Sequence, residues 1–276
     1  MGQITRGKTA RNRLRRVDNL MLAYDPALIS RIDGLYNRAF FVDLGYGQDP
    51  VTTLESANRL RKLNPGLYVL GVEIDPDRVS NAQAHADEHT FFRFGGFDLP
   101  LLTWPDGTPE TVRLVRAFNV LRQYDEDEVD GAYNRLFQSL LPGALLIEGT
   151  SDPYGSISVA NLARKLSGGE KPWELEALVF STNFRTGFDP GQFQAILPKN
   201  LIHRMVPGEQ IYDFVECWKL AARETSAVQV WGVRQWFLSS AESLAERGYH
   251  LNLRRKWLRK GYLIWENPGL AGPGAG

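Results

Sequence analysis

Short apolar runs alternate with amphipathic stretches along this chain of 276 residues, and that alternation restricts the fold more than any other feature. The apolar runs predict strands at residues 39–44, 68–74, 90–94, 112–119, 142–149, 175–182 and 261–266. Helical spacing appears between the early runs, at 51–63, from 75 to about 87 and at 125–141. Strands and helices that alternate in this way form a parallel sheet with helices on both faces. The sequence therefore predicts an α/β fold with a doubly wound, mostly parallel sheet of seven strands and a helical insert before the last strand.

The composition excludes several classes of protein and indicates the compartment in which this one is found. The single cysteine, Cys217, excludes an internal disulfide framework and a cysteine-rich zinc site, and it fits a reducing compartment such as a bacterial cytoplasm. No stretch approaches the roughly 18 consecutive apolar residues of a membrane-spanning helix, and the first residues lack the apolar core of a signal peptide. We therefore expect a cytoplasmic protein without a membrane partner.

Charge is unevenly distributed along the chain, although the formal net charge is zero. Residues 1–16 carry six bases and no acid, and residues 247–276 carry six bases and one acid. The stretch between them, 17–246, carries 20 bases and 31 acids. Basic ends on an acidic body favour contact with RNA. The alternative is that both ends fold back onto the acidic body, or that the N-terminus is a solvated tail.

The first predicted strand ends in a turn that contains Gly45 and Gly47, and the second ends at Glu73. In open parallel sheets, ligands bind beyond the carboxyl ends of the strands, where the strand order reverses. Glycine lets the backbone come close to a ligand, and a following helix offers free N–H donors. An acid at the tip of the second strand can accept hydrogen bonds from both hydroxyls of a ribose. This pattern predicts a site for a ligand that contains ribose.

At these residues the chain resembles the class I S-adenosylmethionine-dependent methyltransferases, and at Leu197-Pro-Lys-Asn-Leu-Ile-His-Arg-Met-Val-Pro-Gly it resembles an uncharacterised bacterial branch of methyltransferases. The resemblance rests on Val42-Asp-Leu-Gly-Tyr-Gly and Gly71-Val-Glu-Ile-Asp-Pro-Asp-Arg-Val. It continues through Gly95-Gly-Phe-Asp-Leu-Pro, Ala117-Phe-Asn-Val-Leu and Leu140-Leu-Pro-Gly-Ala-Leu-Leu-Ile, and covers residues 38–150. It implies a Rossmann-like methyltransferase fold and S-adenosyl-L-methionine (SAM) as the cofactor.

The resemblance also implies roles for individual residues. The cofactor-binding residues it implies are Asp43, Gly45, Tyr46 and Gly47 around the methionine part, Glu73 on the ribose, Ile74, Phe97 and Asp98 around the adenine, and Asn119 near the sulfonium through its backbone. Two departures from the family pattern matter. Asp49 stands where the family commonly has a third glycine. No Asn-Pro-Pro-Tyr-type motif follows the fourth strand, which argues against methylation of a flipped adenine or a glutamine amide.

The resemblance gives the domain organisation as well. We expect a basic segment with a lead-in helix at 1–37, a SAM-binding Rossmann-like core at 38–182, a helical cap on the acceptor side at 183–260, the last strand at 261–267 and a disordered tail at 268–276. Within the cap, helices are predicted at 210–222 and 227–247. An apolar face of these helices could instead form a homodimer contact.

Acceptor chemistry is less constrained by the sequence. An oxygen acceptor usually needs a base, and histidine is the side chain that most often serves as one. The predicted catalytic residues are His203 and Tyr124. Arg122 and Asp152 follow predicted strands and are expected to bind the acceptor. The alternative for each is a structural or surface role. The paired histidines 85 and 89 and the acids at 125–128 indicate helix ends rather than a metal site, so no metal is predicted.

Three functional hypotheses follow. The first is a methyltransferase that acts on an oxygen or nitrogen of a small-molecule acceptor. The second is an RNA methyltransferase that uses the basic ends of the chain. The third is a cofactor-binding protein without transfer activity, or a nicotinamide-dependent dehydrogenase. The dehydrogenase is disfavoured because the third glycine is missing and Glu73 comes later than the usual spacing of about 20 residues.

Overall fold

The computed structural model describes residues 9–168 and 171–270, and these residues contain a sheet of eight strands in the order β3-β2-β1-β4-β5-β6-β7-β8. The strands are β1 (Phe40–Leu44), β2 (Val69–Glu73), β3 (Thr90–Phe94), β4 (Val112–Phe118), β5 (Leu140–Ser151), β6 (Ile157–Lys165), β7 (Trp173–Thr182) and β8 (Tyr262–Glu266). The helices are α1 (Arg15–Tyr24), α2 (Pro26–Ser30), α3 (Val51–Leu60), α4 (Pro76–Ala82), α5 (Glu126–Ser139), α6 (Lys199–Ile202), α7 (Gln210–Glu224), α8 (Val233–Glu246) and α9 (Arg255–Leu258). The predicted α/β class is confirmed.

The chain divides into two compact units. Unit 1 comprises Met1–Glu148 and Arg164–Glu174, and unit 2 comprises Gly149–Ala163 and Leu175–Gly276. None of the helices in the described part of the chain is long and apolar enough to cross a bilayer.

In unit 1 the first four strands pair in parallel, with β1 between β2 and β4. Every residue of β1, β2 and β4 is buried, as expected for parallel strands covered on both faces. The register places Asp43 of β1 opposite Gly71 of β2 and Arg116 of β4. Because β2 and β3 lie on one side of β1 and β4 on the other, the strand order reverses at β1. This is the position where open α/β sheets bind ligands.

Helix starts in unit 1 follow the capping chemistry that the sequence predicts. The Asp75 side chain accepts hydrogen bonds from the amides of Asp77 and Arg78 at the start of α4. At the start of α5, the Glu128 side chain accepts a hydrogen bond from the Asp125 amide at 2.9 Å. The acids at 125–128 therefore begin a helix, as expected. Helices α3 and α4 end earlier than the predicted limits of 63 and 87. A short 3-10 helix, Gln83–His85, follows α4.

A buried arginine of β4 attaches the N-terminal elements of unit 1 to the sheet. The guanidinium of Arg113 donates hydrogen bonds to the carbonyl oxygens of Leu28, Ile29, Arg31 and Ala39 at 2.7–3.0 Å. Burial lowers the pKa of Arg113 to about 10, so the side chain stays protonated at neutral pH. Its donors satisfy carbonyls at the C-terminal end of α2 that would otherwise lack partners.

Strand β6 was missed by the sequence prediction, so the sheet has eight strands rather than seven. Its residues, Ile-Ser-Val-Ala-Asn-Leu-Ala-Arg-Lys, lack the continuous apolar run that marks a buried strand, because Ser158 and Asn161 interrupt it. Both polar residues are nevertheless buried. In unit 2 the Asp152 amide donates to the Ile157 carbonyl oxygen at 3.2 Å, which closes a hairpin between β5 and β6.

The rest of unit 2 pairs β7 with β8 in antiparallel register and packs helices on an aromatic core. That core includes the buried rings of Phe180, Phe193, Phe214, Trp218 and Phe237. The helical insert before the last strand is thus confirmed, and most of its aromatic residues are core.

Two boundaries in unit 2 differ from the prediction. Helix α8 begins at Val233 instead of 227, because Gly232 adopts φ 102° and separates it from a short 3-10 helix, Ser226–Trp231. Residues 268–270, which the prediction assigned to the tail, make defined contacts: the Pro268 carbonyl oxygen accepts a hydrogen bond from Gln210 Nε2, and Leu270 packs on the core. Residues 271–276 lie outside the described residues, as do residues 1–8 of the basic N-terminal segment.

Candidate functional site

The site begins at the glycine turn that follows β1. Gly45 and Gly47 both have positive φ, 70° and 87°, which glycine adopts without steric cost. The Gly45 amide donates to the Val72 carbonyl oxygen of β2 at 2.7 Å. A Cβ atom at position 45 would lie 2.7 Å from Cγ2 of Val120, the second residue after β4. The ends of β1, β2 and β4 therefore meet at this turn, and position 45 requires glycine.

The Glu73 carboxylate bridges the end of β2 and the glycine turn. The Gly47 amide donates to Glu73 Oε2 at 2.8 Å, and the Ile74 amide donates to Oε1 at 2.9 Å. The guanidinium of Arg78 lies 3.7 Å from Oε1, and Glu73 is only 1% exposed. A carboxylate has about four acceptor positions, so two hydrogen bonds leave capacity for two further donors. The sequence predicted that Glu73 and the turn lie close together, and the structure places them in direct contact.

Tyr46, between the two glycines, packs its ring on an aromatic neighbour and forms one hydrogen bond through its hydroxyl. Its ring packs against Phe92 with centroids 5.4 Å apart, in the space above Gly71. Its hydroxyl lies 3.4 Å from the Arg78 carbonyl oxygen, to which it donates. Burial, together with the negative charge of Glu73, raises the pKa of Tyr46, so its phenol stays neutral.

Asp43 of β1, two residues before Gly45, belongs to a buried network of charged side chains. Its carboxylate accepts hydrogen bonds from Arg116 Nε at 3.0 Å, Arg116 Nη2 at 2.7 Å and Thr53 Oγ1 at 2.6 Å. Burial acts against the charge of Arg116, but the carboxylates of Asp43 and Asp18 outweigh it and raise the pKa of the guanidinium. The Asp43 side chain therefore holds the end of β1 in place.

Helix α1 extends this network, and the sequence analysis did not anticipate its members. Asp18 Oδ1 accepts hydrogen bonds from Arg116 Nη1 and Ser56 Oγ at 2.7 Å, and its Oδ2 accepts from Arg59 Nη1 at 2.5 Å. Burial raises the pKa of Asp18, although Arg116 and Arg59 oppose this shift. The available signal was Arg116 itself, one of two arginines in a strand pattern whose other residues are apolar.

Two aromatic residues that are distant in sequence meet beside the predicted adenine region. The buried rings of Phe97 and Tyr124 pack with centroids 5.1 Å apart, and the guanidinium of Arg135 lies 5.3 Å from the Phe97 ring centroid. The Asp98 side chain is 77% exposed, and its Oδ2 lies 3.9 Å from Arg135 Nη1 in a long ion pair. Ile74 is half-buried. An apolar ring and an accessible carboxylate are thus adjacent here.

The segment after β4 adopts an unusual backbone conformation. Asn119 has φ 61°, in the left-handed region that asparagine tolerates better than most residues. Its carbonyl oxygen accepts a hydrogen bond from Gln123 Nε2 at 3.2 Å. Arg122, in the same segment, is exposed. Strained backbone of this kind is concentrated at functional sites.

The remaining predicted acceptor residues belong to unit 2. Asp152 Oδ1 accepts a hydrogen bond from the Ile157 amide at 3.0 Å, so its carboxylate supports the hairpin between β5 and β6. His203 is exposed at the C-terminal end of α6. The other predicted site residues all lie in unit 1.

No family model and no curated protein matches the sequence. Similar solved structures include the CMeT domain of citrinin polyketide synthase, with 12% identity over 43% of this chain and 30% of that one and a TM-score of 0.34. They also include magnesium protoporphyrin IX methyltransferase from Synechocystis PCC 6803 with bound SAH (18% identity, 50% and 56% covered, TM-score 0.34). A third is SAM-bound CalS10, an amino pentose methyltransferase from Micromonospora echinaspora (16%, 64% and 69%, TM-score 0.33). The chain spans less than two thirds of the length of the first two. At these scores the likeness carries no argument, and the proposal below rests on the site.

Proposed function

We propose that this chain is a SAM-dependent methyltransferase. The observation that carries the proposal is the buried Glu73 carboxylate, which accepts a hydrogen bond from the Gly47 amide where the strand order reverses. The carboxylate retains acceptor capacity for a pair of neighbouring hydroxyls, and the two positive-φ glycines let the backbone approach a ligand closely. These residues therefore fit the ribose and the methionine part of SAM.

Within this proposal, the predicted cofactor-binding residues of unit 1 have the following roles. Glu73 would accept hydrogen bonds from the ribose hydroxyls, while Gly45 and Gly47 approach the methionine part through their backbone. Ile74 and Phe97 would contact the adenine faces, and the accessible Asp98 carboxylate would accept from the adenine amino group. Tyr46 and Asp43 would shape the site, since the ring packs on Phe92 and the carboxylate is engaged by Arg116.

When bound, SAM supplies a methyl group already activated on a sulfonium. The protein then needs to orient the acceptor and to stabilise the changing charge. The Asn119 carbonyl dipole would stabilise positive charge near the sulfonium, and His203 or Tyr124 would remove a proton from an oxygen acceptor. Arg122, in the segment after β4, would hold the acceptor, and the acceptor-binding role of Asp152 in unit 2 stays a prediction.

The acceptor we propose is a small molecule that is methylated at oxygen or nitrogen. Residues 38–182 would bind the cofactor, and the helical segment 183–260 would supply the acceptor-side surface. A cytoplasmic location and a homodimer stay predictions. RNA is a second candidate acceptor, because residues 247–265 of unit 2 contain six basic residues and no aspartate or glutamate.

Thermal melting of the purified protein with SAM, S-adenosylhomocysteine (SAH) and NAD tests the proposal. At a hundredfold excess over the dissociation constant, a ligand adds about 2.7 kcal/mol, or roughly 5–10 °C for a chain of this size. We expect this shift with both adenosyl ligands, a smaller one in Glu73→Gln, and an unchanged one in the control Glu88→Gln, whose side chain is exposed. A shift with NAD alone would favour the dehydrogenase, and no shift with either adenosyl ligand would overturn the proposal.

A further inference from the structure

Unit 2 carries a cluster of basic side chains around α9, which we term the α9 basic surface. Its members are all exposed: Arg185, Arg234, Arg254, Arg255, Lys256, Arg259 and Lys260. Residues 247–265 contain no aspartate or glutamate. The surface therefore concentrates positive charge on a chain whose formal net charge is zero.

These charges come from three separate segments that the fold brings together. Arg234 Nη1, in the first turn of α8, donates to the Arg259 carbonyl oxygen at 2.9 Å. The Arg234 guanidinium also lies 5.1 Å from the ring centroid of Phe184, the neighbour of Arg185. Gly261, immediately after the basic segment, packs against the Phe184 ring. The three segments that carry these charges therefore touch one another at residues 184, 234 and 259–261.

Carboxylates do not neutralise most of this charge. Among the described residues, Arg185, Arg234, Arg254, Arg255, Lys256 and Arg259 form no ion pair with an aspartate or glutamate within 4 Å. Lys256 instead lies 5.0 Å from the ring centroid of Trp257. Like charges held together in this way repel one another, and a polyanion would relieve the repulsion.

An exposed aromatic side chain stands beside the basic residues in sequence. Trp231 is 78% exposed at the end of the 3-10 helix Ser226–Trp231, and Arg234 follows three residues later. Tryptophan is usually largely buried, so an indole in this position is available to a ligand. Nucleic-acid bases stack on such rings, and their phosphates pair with neighbouring arginine and lysine.

We propose that the α9 basic surface binds the phosphate backbone of a single-stranded nucleic acid, with a base stacked on Trp231. Arginine makes up most of the surface, and its planar guanidinium pairs with phosphate through two hydrogen bonds. An anionic membrane is a poorer partner, because α9 has four residues and forms no amphipathic helix of interfacial length. The proposal rests on unit 2 alone and does not depend on methyl transfer.

Fluorescence anisotropy tests the proposal, with the full-length protein, a labelled oligouridylate of about 12 nucleotides and a titration of salt. For single strands, a plot of the logarithm of the association constant against the logarithm of the salt concentration is a falling line. Its slope is about −0.7 for each phosphate contacted. The combined variant Arg255→Gln, Lys256→Gln, Arg259→Gln should therefore flatten the slope by about 2. A variant of equal charge change elsewhere, Arg31→Gln, Lys62→Gln, Arg223→Gln, should leave it unchanged.

Trp231→Ala separates stacking from charge. It should weaken binding by about 5- to 100-fold and leave the salt slope unchanged. Circular dichroism and the melting temperature establish that each variant is folded. Equal effects of the two triple variants, or binding to phosphatidylserine vesicles without binding to the oligonucleotide, would overturn the proposal. All titrations omit SAM, so failure of RNA binding and failure of cofactor binding are observed separately.

Discussion

Arg116 and Asp43 form a two-point ion pair between neighbouring parallel strands in the buried interior of unit 1. Arg116 Nε lies 3.0 Å from Asp43 Oδ1, and Nη2 lies 2.7 Å from Oδ2. Asp43 stands two residues before Gly45, and the other terminal nitrogen of Arg116 donates to Asp18 of α1. The first described helix is therefore attached to the strand that carries the glycine turn.

Arg116→Met should destabilise the protein strongly. The substitution leaves the buried carboxylates of Asp43 and Asp18 without their shared cation, which costs about 3–5 kcal/mol. Urea denaturation measures the change. Arg31→Met is the control, because its partner Asp33 is exposed, and it should leave the unfolding midpoint unchanged. A loss below about 1 kcal/mol for Arg116→Met would show that the network does not stabilise the fold.

Gly45→Ala should be more harmful than Gly107→Ala. Both positions have positive φ, 70° and 83°, but only at position 45 does a Cβ meet another residue, Val120, at 2.7 Å. Adding Val120→Ala should relieve the clash, so the double variant should be less destabilised than the sum of the single variants by about 0.5–3 kcal/mol. Urea denaturation of the wild type, Gly45→Ala, Val120→Ala and the double variant provides the cycle, and Gly107→Ala is the separate control. Strict additivity would contradict the contact.

Asn119→Gly and Asn119→Val should have opposite outcomes. Glycine adopts the observed φ of 61° freely, whereas a β-branched side chain is a true outlier there and costs on the order of 1–3 kcal/mol. The glycine variant should keep both stability and SAH affinity, since the predicted contact is through the backbone. The valine variant should lose both. Equal affinity of the two variants for SAH would show that the backbone of Asn119 does not contact the ligand.

The ionised Asp106 carboxylate should stabilise the folded protein, and this stabilisation should be lost in acid. Hydrogen bonds from the Thr108 hydroxyl and amide, and then Arg38, lower the pKa of Asp106 to about 2. Because the folded value lies below the ordinary 3.8, the ionised carboxylate stabilises the fold above pH 3.8, and this contribution is lost as the pH falls towards 2. The difference in unfolding midpoint between the wild type and Asp106→Asn should be constant from pH 7 to 5 and shrink below pH 4. A difference that persists unchanged at pH 3 would exclude this role.

The sequence predicts the elements around the glycine turn well because local patterns determine them. Runs rich in apolar residues marked β1, β2 and β4, and the acids at 125–128 marked the start of α5. The same local logic placed Glu73 beside Gly47, since neighbouring parallel strands end at the same edge of a sheet.

What the sequence does not predict depends on partners that are distant along the chain. Strand β6 carries buried polar residues, and periodicity alone does not show that Asn161 finds a partner in Asn200 at 3.1 Å. The pairing of Asp18 with Arg116, 98 residues apart, likewise depends on the completed fold. The acceptor-side roles of His203 and Asp152 stay predictions.

Isothermal titration calorimetry with SAH tests most directly the central claim, that the site formed by Glu73 and the glycine turn binds an adenosyl cofactor. SAH does not turn over, so the heat reports binding alone. The account predicts one site per chain in the wild type and an affinity lower by about 10- to 100-fold in Glu73→Gln, because a hydrogen bond to a charged group contributes about 1.5–3 kcal/mol. No binding heat in the wild type, or equal affinity in the two proteins, would contradict it.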